Sequence, residues 1–347
     1  RRGRGRGRCE RAGSPGCTTS LTLDAEAGEL RCDPEFADPA DDVEWSTAHD
    51  VTYAANDVFS VRISSNGFCG GAHPIIDADS SLTFDLRTGE AVDFRSLFAS
   101  YDRDAKAIVG AYLRHLTAEE REDCEDVLTE SELADHYFSY TIGPSGVRMR
   151  TAFPHVLKVC NRTSVVPFDA LRPYSKPGSL LERLADLPLP ADVVAEVDRR
   201  IAECDLDGDP PMRPLTPADR RASLEAVRAY DLTGDGHPDY LIDDSLVFCS
   251  AGASFRHGNG GTGIIVMVSG ADGVRVAADS LAFGARVVEA PGSPRLWLTL
   301  GGRYCGQDTE GVSRAEMIGC ERPLDWNAET GAFALADMRE TRFELPQ

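Results

Sequence analysis

Residues 59–98 read FSVRISSNGFCGGAHPIIDADSSLTFDLRTGEAVDFRSLF. Apolar and polar residues alternate twice in this stretch. Phe59, Val61 and Ile63 mark one segment; Leu82, Phe84 and Leu86 mark the other. Successive side chains on a strand point to opposite faces, so this pattern predicts two half-buried strands. Thr88-Gly89 then turns the chain into Ala91-Val92, the signature of a hairpin. Between the two segments sits Phe68-Cys69-Gly70-Gly71-Ala72-His73-Pro74. One histidine is too few for zinc, which takes three or four protein ligands. Cys69 and His73 stand four apart, but Gly-Gly and the following proline exclude the helix that would bring them together. Gly70 and Gly71 permit positive φ and close backbone approach. Pro74 fixes its own φ and biases His73 toward extended geometry. Phe68, Gly70, Gly71, Ala72, His73 and Pro74 therefore read as an over-determined loop, partner-binding or structural, and not as a catalytic site.

Working outward, YDRDAKAIVGAYLRHL (101–116) places Ala105, Ile108, Val109, Tyr112, Leu113 and Leu116 on one stripe at helical spacing. A more acidic helical region is expected over 118–135. Strands over 137–142 and 147–151 flank Gly-Pro-Ser-Gly, and a short strand over 165–168 closes the module. Strands and helices segregate, so the class is α+β: an N-terminal antiparallel sheet packed with helices. Prolines crowd residues 173–217, which reads as a connector with one amphipathic helix over 191–203. Strand patterns return over 226–232, 240–247, 263–269, 274–278, 285–289, 296–300 and 333–336. The expected organisation is an Arg/Gly/Cys-rich, poorly ordered segment (1–44), an α+β domain (45–175), a connector (176–217) and a second, β-rich domain (218–347).

The 347 residues carry 57 acidic and 36 basic side chains, a net charge of −21. Such a surface repels phosphate backbones and anionic membranes, which argues against nucleic acid and favours cationic partners. The ten cysteines are even in number and dispersed, with no C-x-x-C pair, so zinc ribbons and thioredoxin-type motifs are unsupported. Their pattern fits a disulfide-bonded protein in an oxidising compartment, periplasmic or extracellular. The longest apolar run, Ile264 to Val268, is strand-sized, so no membrane span is expected in the chain. The sequence opens RRGRGRGR without methionine; a leader or a membrane anchor is expected upstream.

The strand, then the aromatic residue with Gly-Gly-Ala-His-Pro, then Thr83-Phe84-Asp85-Leu86, Thr88-Gly89 and Leu97-Phe98 together carry a resemblance. Residues 45 to about 175, closing on VVPFDALRPY (165–174), resemble the extracytoplasmic domain family that forms the outer portion of the anti-sigma factor RsiV. The family also occurs beside the catalytic domain of the peptidoglycan deacetylase PdaC. The resemblance implies a non-catalytic α+β module outside the cytoplasm; the RsiV member recognises lysozyme, a cationic protein. Cys69 within the motif departs from the family's commoner form. The sigma-binding segment, membrane span and deacetylase domain of those proteins have no counterpart in the chain.

DLTGDGHPDYLID (231–243) sets Asp231, Thr233, Asp235, Gly236, His237 and Asp239 at loop positions 1, 3, 5, 6, 7 and 9. Carboxylates at 1, 5 and 9, an oxygen at 3, glycine at 6 and a carbonyl at 7 suit Ca²⁺. Position 12 is Ile242 where an EF-hand has glutamate, so the loop instead resembles the calcium-like loops of extracellular β-repeat proteins. The alternative is an acidic turn without metal. CDLDGDPP (204–211) also stacks aspartates, but its prolines interrupt the loop. GNGGTG (258–263) lacks the Lys-Ser/Thr of a phosphate loop and precedes a strand. The region after residue 231 is similar to the C-terminal half of some periplasmic proteins, with Cys249, Gly252, Cys305, Cys320 and Trp326 at matching places. Cys305–Cys320, Cys124–Cys160 and Cys204–Cys249 are the candidate disulfides; Cys9, Cys17, Cys32 and Cys69 are left with three possible pairings.

No H-E-x-x-H, no G-x-S-x-G and no other three-group catalytic constellation is present. The expected function is an exported, non-enzymatic bacterial envelope protein that binds a cationic protein such as lysozyme, or cell-wall glycan. The alternatives are a cell-wall hydrolase or deacetylase with an unrecognised site, and a calcium-stabilised structural protein.

Overall fold

The structure, a computed structural model, describes residues 44–68, 75–122, 124, 126–129, 133, 138–151, 153, 155–204, 216–249, 260–288 and 294–343. The segment 1–43, residues 69–74 of the glycine-histidine loop and the aspartate run over 205–211 lie outside the described residues. So do Cys9, Cys17, Cys32, Cys69 and Gly252.

The first half of the chain runs β1 (Glu44–Ala55), β2 (Val58–Phe68), β3 (Ile75–Asp85), β4 (Glu90–Ala91), α1 (Tyr101–His115) and α2 (Ala118–Glu122). It continues through β5 (Phe138–Gly143), β6 (Gly146–Thr151), β7 (Thr163–Val166), α3 (Phe168–Leu171), α4 (Leu180–Ala185) and α5 (Ala191–Glu203). The second half runs α6 (Pro217–Ser223), β8 (Val227–Tyr230), β9 (Asp239–Asp243), β10 (Thr262–Gly270) and β11 (Gly273–Ala282). It ends with β12 (Gly284–Val288), β13 (Arg295–Gly301), β14 (Gly319–Asn327) and β15 (Ala332–Leu335). The class is α+β, rich in sheet. The predicted hairpin is present as β3 and β4, with Phe84 opposite Ala91. Of the helix expected over 118–135, the described residues hold α2 and a helical Leu133, with a turn and bend over 126–128 between them. The connector holds α4 as well as the expected α5.

The sequence divides residues 45–175 from 218–347; the backbone joins them in one sheet. Eight strands lie in the order β11-β10-β9-β8-β1-β2-β3-β4. The join is a short parallel pairing of β1 with β8, Tyr53 beside Ala229 and Ala54 beside Tyr230. All other neighbours in this sheet run antiparallel. Among the described residues a three-stranded sheet, β5-β6-β7, and a four-stranded one, β12-β13-β14-β15, complete the set.

The large sheet is covered on both faces where it crosses the middle of the molecule. Tyr53, Val58, Ala229, Ile242, Ile265 and Met267 share one core with Ile108 and Tyr112 of α1. Tyr230, Leu241, Ile264 and Val266 share another with Leu298 and Leu300 of β13. Alternate residues of β10 thus enter different cores, which explains why Ile264 to Val268 is continuously apolar instead of alternating.

Over β2 and β3 burial is not confined to the apolar face, where Val61 is fully buried. Ser60 and Thr83 are fully buried and bond each other at 2.8 Å, while Phe59 and Phe84 are half-buried. The reason lies in β5, an edge strand whose outer backbone groups need partners. Thr52 Oγ1 donates to the Ile142 carbonyl at 2.7 Å. The Ile142 amide donates to Ser60 Oγ at 2.9 Å, and the Tyr140 amide to Ser81 Oγ at 3.0 Å. The small sheet therefore stands edge-on upon a row of hydroxyls.

Candidate functional site

Beside the β1–β8 join, the same geometry leaves a polar cavity of about 440 Å³. It is built from the two halves together. On β1 and β2, Asp50 lies directly opposite Arg62. On β8, Arg228 follows Val227, and on β6 Arg148 lies between Val147 and Met149. The period of a strand turns each arginine away from its apolar neighbours. Because the small sheet stands edge-on against this side of the large one, those polar sides meet each other. Helix ends close the remaining walls: His115 at the end of α1, Thr117 and Glu120 at α2, and Arg221 on α6, with Ser164 of β7 beside them.

The charges in this cavity are largely interlocked. Arg228 forks onto Asp50, Nε to Oδ1 at 3.3 Å and Nη2 to Oδ2 at 3.1 Å. Arg148 Nη2 donates to the Glu225 carbonyl at 2.9 Å and stands 3.6 Å from the Glu225 carboxylate. Arg228 Nη1 donates to the same carbonyl. Burial pulls the Arg148 guanidinium below its ordinary range, and the neighbouring Arg228 adds to that. Burial pushes the Glu225 carboxyl up, against the pull of both arginines. Burial also works to raise Asp50, but Arg228 prevails and holds it below the usual carboxylate value. His115 is lowered by burial, although its Nδ1 donates to the Ala111 carbonyl at 2.6 Å. Two polar atoms are left over: Ser164 Oγ and Arg221 Nε are both buried without a hydrogen-bond partner.

Local structure fixes these groups. α6 starts with a capping box: the Asp219 amide donates to Thr216 Oγ1 at 3.2 Å, and the Thr216 amide to Asp219 Oδ2 at 2.8 Å. Its far end is tied by the Phe248 amide, which donates to Ser223 Oγ at 3.0 Å. α2 is capped the same way, with Glu120 Oε2 accepting from the Thr117 amide at 2.7 Å. Two disulfides brace the walls. Cys124–Cys160 (Cα–Cα 5.7 Å) ties the chain after α2 to the chain before β7. Cys204–Cys249 (Cα–Cα 5.5 Å) ties the end of α5 to the stretch after Leu246, itself a cavity residue. Cys305–Cys320 (Cα–Cα 5.7 Å) lies elsewhere, in the core beneath the four-stranded sheet.

Asp231, Thr233, Asp235, His237 and Asp239 are not among the residues that line this cavity. Phe68 ends β2 opposite Ile75, the first residue of β3; Gly70, Gly71, Ala72, His73 and Pro74 lie outside the described residues. The loop over 231–239 is closed by its own backbone. Asp231 accepts from the Gly234 and Gly236 amides at 2.9 and 3.0 Å, and Asp235 from the His237 amide at 2.8 Å. Gly236 takes φ +86°, a conformation glycine adopts without strain. Asp239 is fully buried and accepts from the Thr233 and Ser269 amides at 2.9 and 3.1 Å. Burial pushes its carboxyl up to about 6 despite those donors. Asp231, Thr233, Asp235, His237 and Asp239 thus share a turn. Among the described residues, however, no three His, Cys, Asp or Glu side chains gather as a metal set. The described part of the glycine-rich loop is a tight entry into β10: at Gly261, φ +94°, a Cβ would meet the Ala282 carbonyl oxygen at 2.5 Å.

No helix among the described residues is long and apolar enough to cross a membrane. No protein-family model matches the chain, and no curated protein matches it. Solved structures that resemble it include a DUF3298 family protein from Pseudomonas aeruginosa, at 16% identity and a TM-score of 0.31. That match covers 41% of this chain and 66% of the other. A second DUF3298 member, from Bacteroides fragilis, is 14% identical with a TM-score of 0.34, covering 42% and 58% of the two chains. The chain thus spans about three-fifths of the length of these neighbours.

Proposed function

We propose that the chain is an exported, disulfide-braced binding protein of the bacterial cell envelope, non-enzymatic, with the cavity at the β1–β8 join as its ligand site. The observation that carries this reading is the cavity itself: a polar space of about 440 Å³, of the size that takes small ligands, with walls drawn from both halves. Its ionisable groups hold one another in fixed pairs, as suits recognition more than proton transfer. The disulfides add that the chain matures where thiols oxidise, outside the reducing cytoplasm. Cell-wall glycan fragments are the favoured ligands, and the RsiV-like motifs over residues 45–175 support the same setting. A cationic protein such as lysozyme is a second reading, favoured by the net charge of −21.

Pull-down by the oxidised chain from a solution of muropeptides, and separately from lysozyme, tests these readings. Muropeptide retention is expected; retention of lysozyme alone, weakened by salt, moves the function to the acidic surface. Turnover of muropeptides, releasing acetate or new ends, overturns the non-enzymatic reading. Ca²⁺ at Asp231, Thr233, Asp235, His237 and Asp239 is a separate proposal that rests on spacing alone. It predicts a calcium-dependent rise in melting temperature that disappears in Asp235→Ala; an unchanged midpoint in the parent chain rejects it.

A further inference from the structure

Among the described residues, four guanidiniums line the cavity, those of Arg62, Arg148, Arg221 and Arg228, against three carboxylates, those of Asp50, Glu120 and Glu225. His115 is held toward its neutral form by burial. The lining therefore carries one positive charge in excess, inside a chain that is otherwise strongly acidic. Two of the carboxylates are committed: Asp50 to the fork of Arg228, and Glu120 to its helix cap. Arg148 is nearly buried and shares Glu225 with a second arginine, an arrangement that disfavours its charge unless another anion is near. Ser164, only 4% exposed, carries a hydroxyl with no partner, and Arg221 carries a buried N–H with none. Buried polar groups left over in this way mark a place where a ligand or water completes the set.

We propose that this cavity binds a polar molecule bearing a single carboxylate, which Arg221 and the Ser164 side of the cavity receive. The excess of one charge selects a monoanion. A phosphate dianion would meet Asp50, Glu120 and Glu225 with one charge too many. The space exceeds a carboxylate by far, and the rest of the lining joins hydroxyl and imidazole groups (Thr117, Thr163, Ser164 and His115) to a few apolar side chains, Val165, Ala222 and Leu246. Such walls suit hydroxyl and amide groups, so the body is a sugar acid or a short acylated peptide with its C-terminus intact. This rests on the binding reading above and names the chemistry of its ligand.

Calorimetric titration of the oxidised full chain with N-acetylmuramic acid, an N-acetylated dipeptide and inorganic phosphate is the test. The first two arms separate a sugar acid from a peptide C-terminus. We expect saturable one-to-one binding in at least one of them, at least tenfold tighter than phosphate, and lost tenfold or more when that carboxylate is amidated. Arg221→Met, which leaves no carboxylate without its arginine, should weaken binding about tenfold with an unchanged melting temperature. Ser164→Ala should weaken it less. Equal affinity for the amide, equal affinity in a folded Arg221→Met, or tighter binding of phosphate overturns the proposal. If none of the probes binds yet muropeptides are still retained, the carboxylate inference fails and the binding reading stands. If a carboxylate binds and no envelope ligand is retained, the inference holds and the envelope reading fails.

Discussion

Arg62, Arg148 and Arg228 each stand next to valine within a strand, so alternation assigns them to a polar face that a sequence reader sends to solvent. Their presence on strands was legible; their convergence was not, because it depends on a second sheet covering that face. Ser60 tells the same story, since the amide it satisfies, that of Ile142, belongs to β5, 82 residues away in sequence. Asp239 was legible as an acidic loop residue, but its burial beneath Ser269 was not. Its folded-state value of about 6 lies above the ordinary 3.8. Between those values the native state keeps a proton that the unfolded chain has released. Its contribution is therefore fully present at low pH and is lost as pH rises through about 6. The shift corresponds to about 3 kcal/mol at most. Chemical denaturation of the parent chain and Asp239→Asn across this window should show the cost of the substitution shrinking by about 2–3 kcal/mol from about pH 4 to about pH 7. A difference that stays constant with pH contradicts the burial of this carboxyl.

At the scale of elements, helices and hairpins with strong periodicity were readable. α5 occupies Ala191–Glu203, the span its amphipathic pattern indicates, and the stripe on α1 buries Ala105, Ile108, Val109 and Tyr112. β1 was missed. Its sequence, EWSTAHDVTYAA, offers no alternation, because its two ends meet different surroundings and its Thr52 and Asp50 are spent on hydrogen bonds and ion pairs. The disulfides became legible through order along the chain: Cys124 and Cys160 flank the β5–β6 hairpin, and Cys305 and Cys320 one connecting stretch between β13 and β14. Cys124–Cys160 closes a loop with a sequence separation of 36. The chain-entropy account gives such a crosslink about 4 kcal/mol. Replacing both cysteines by serine should lower unfolding stability by about 3–4 kcal/mol and loosen the cavity wall between α2 and β7. Urea unfolding measures the first effect, and amide exchange at Thr163–Val166 the second. Unchanged stability on loss of both sulfurs would remove the bond from the account.

For the whole molecule, the Pro-rich stretch invited a division into two domains, and composition supports that division well: one half mixes helices with strands, the other is nearly all strand. What composition cannot show is a two-residue parallel contact between β1 and β8 that closes an eight-stranded sheet over both halves. One apolar core then runs from Tyr53 and Ile108 to Ile242 and Met267. The candidate cavity exists because of that union, since Asp50, Arg62 and Arg148 come from one half and Arg221 and Arg228 from the other. If the halves separated, these charges would part and no site would remain. Differential scanning calorimetry of the oxidised chain tests this union most directly. A single transition is predicted, with calorimetric and van't Hoff enthalpies equal. Two resolved transitions, one belonging to residues 44–204 and the other to residues 216–343, would contradict it.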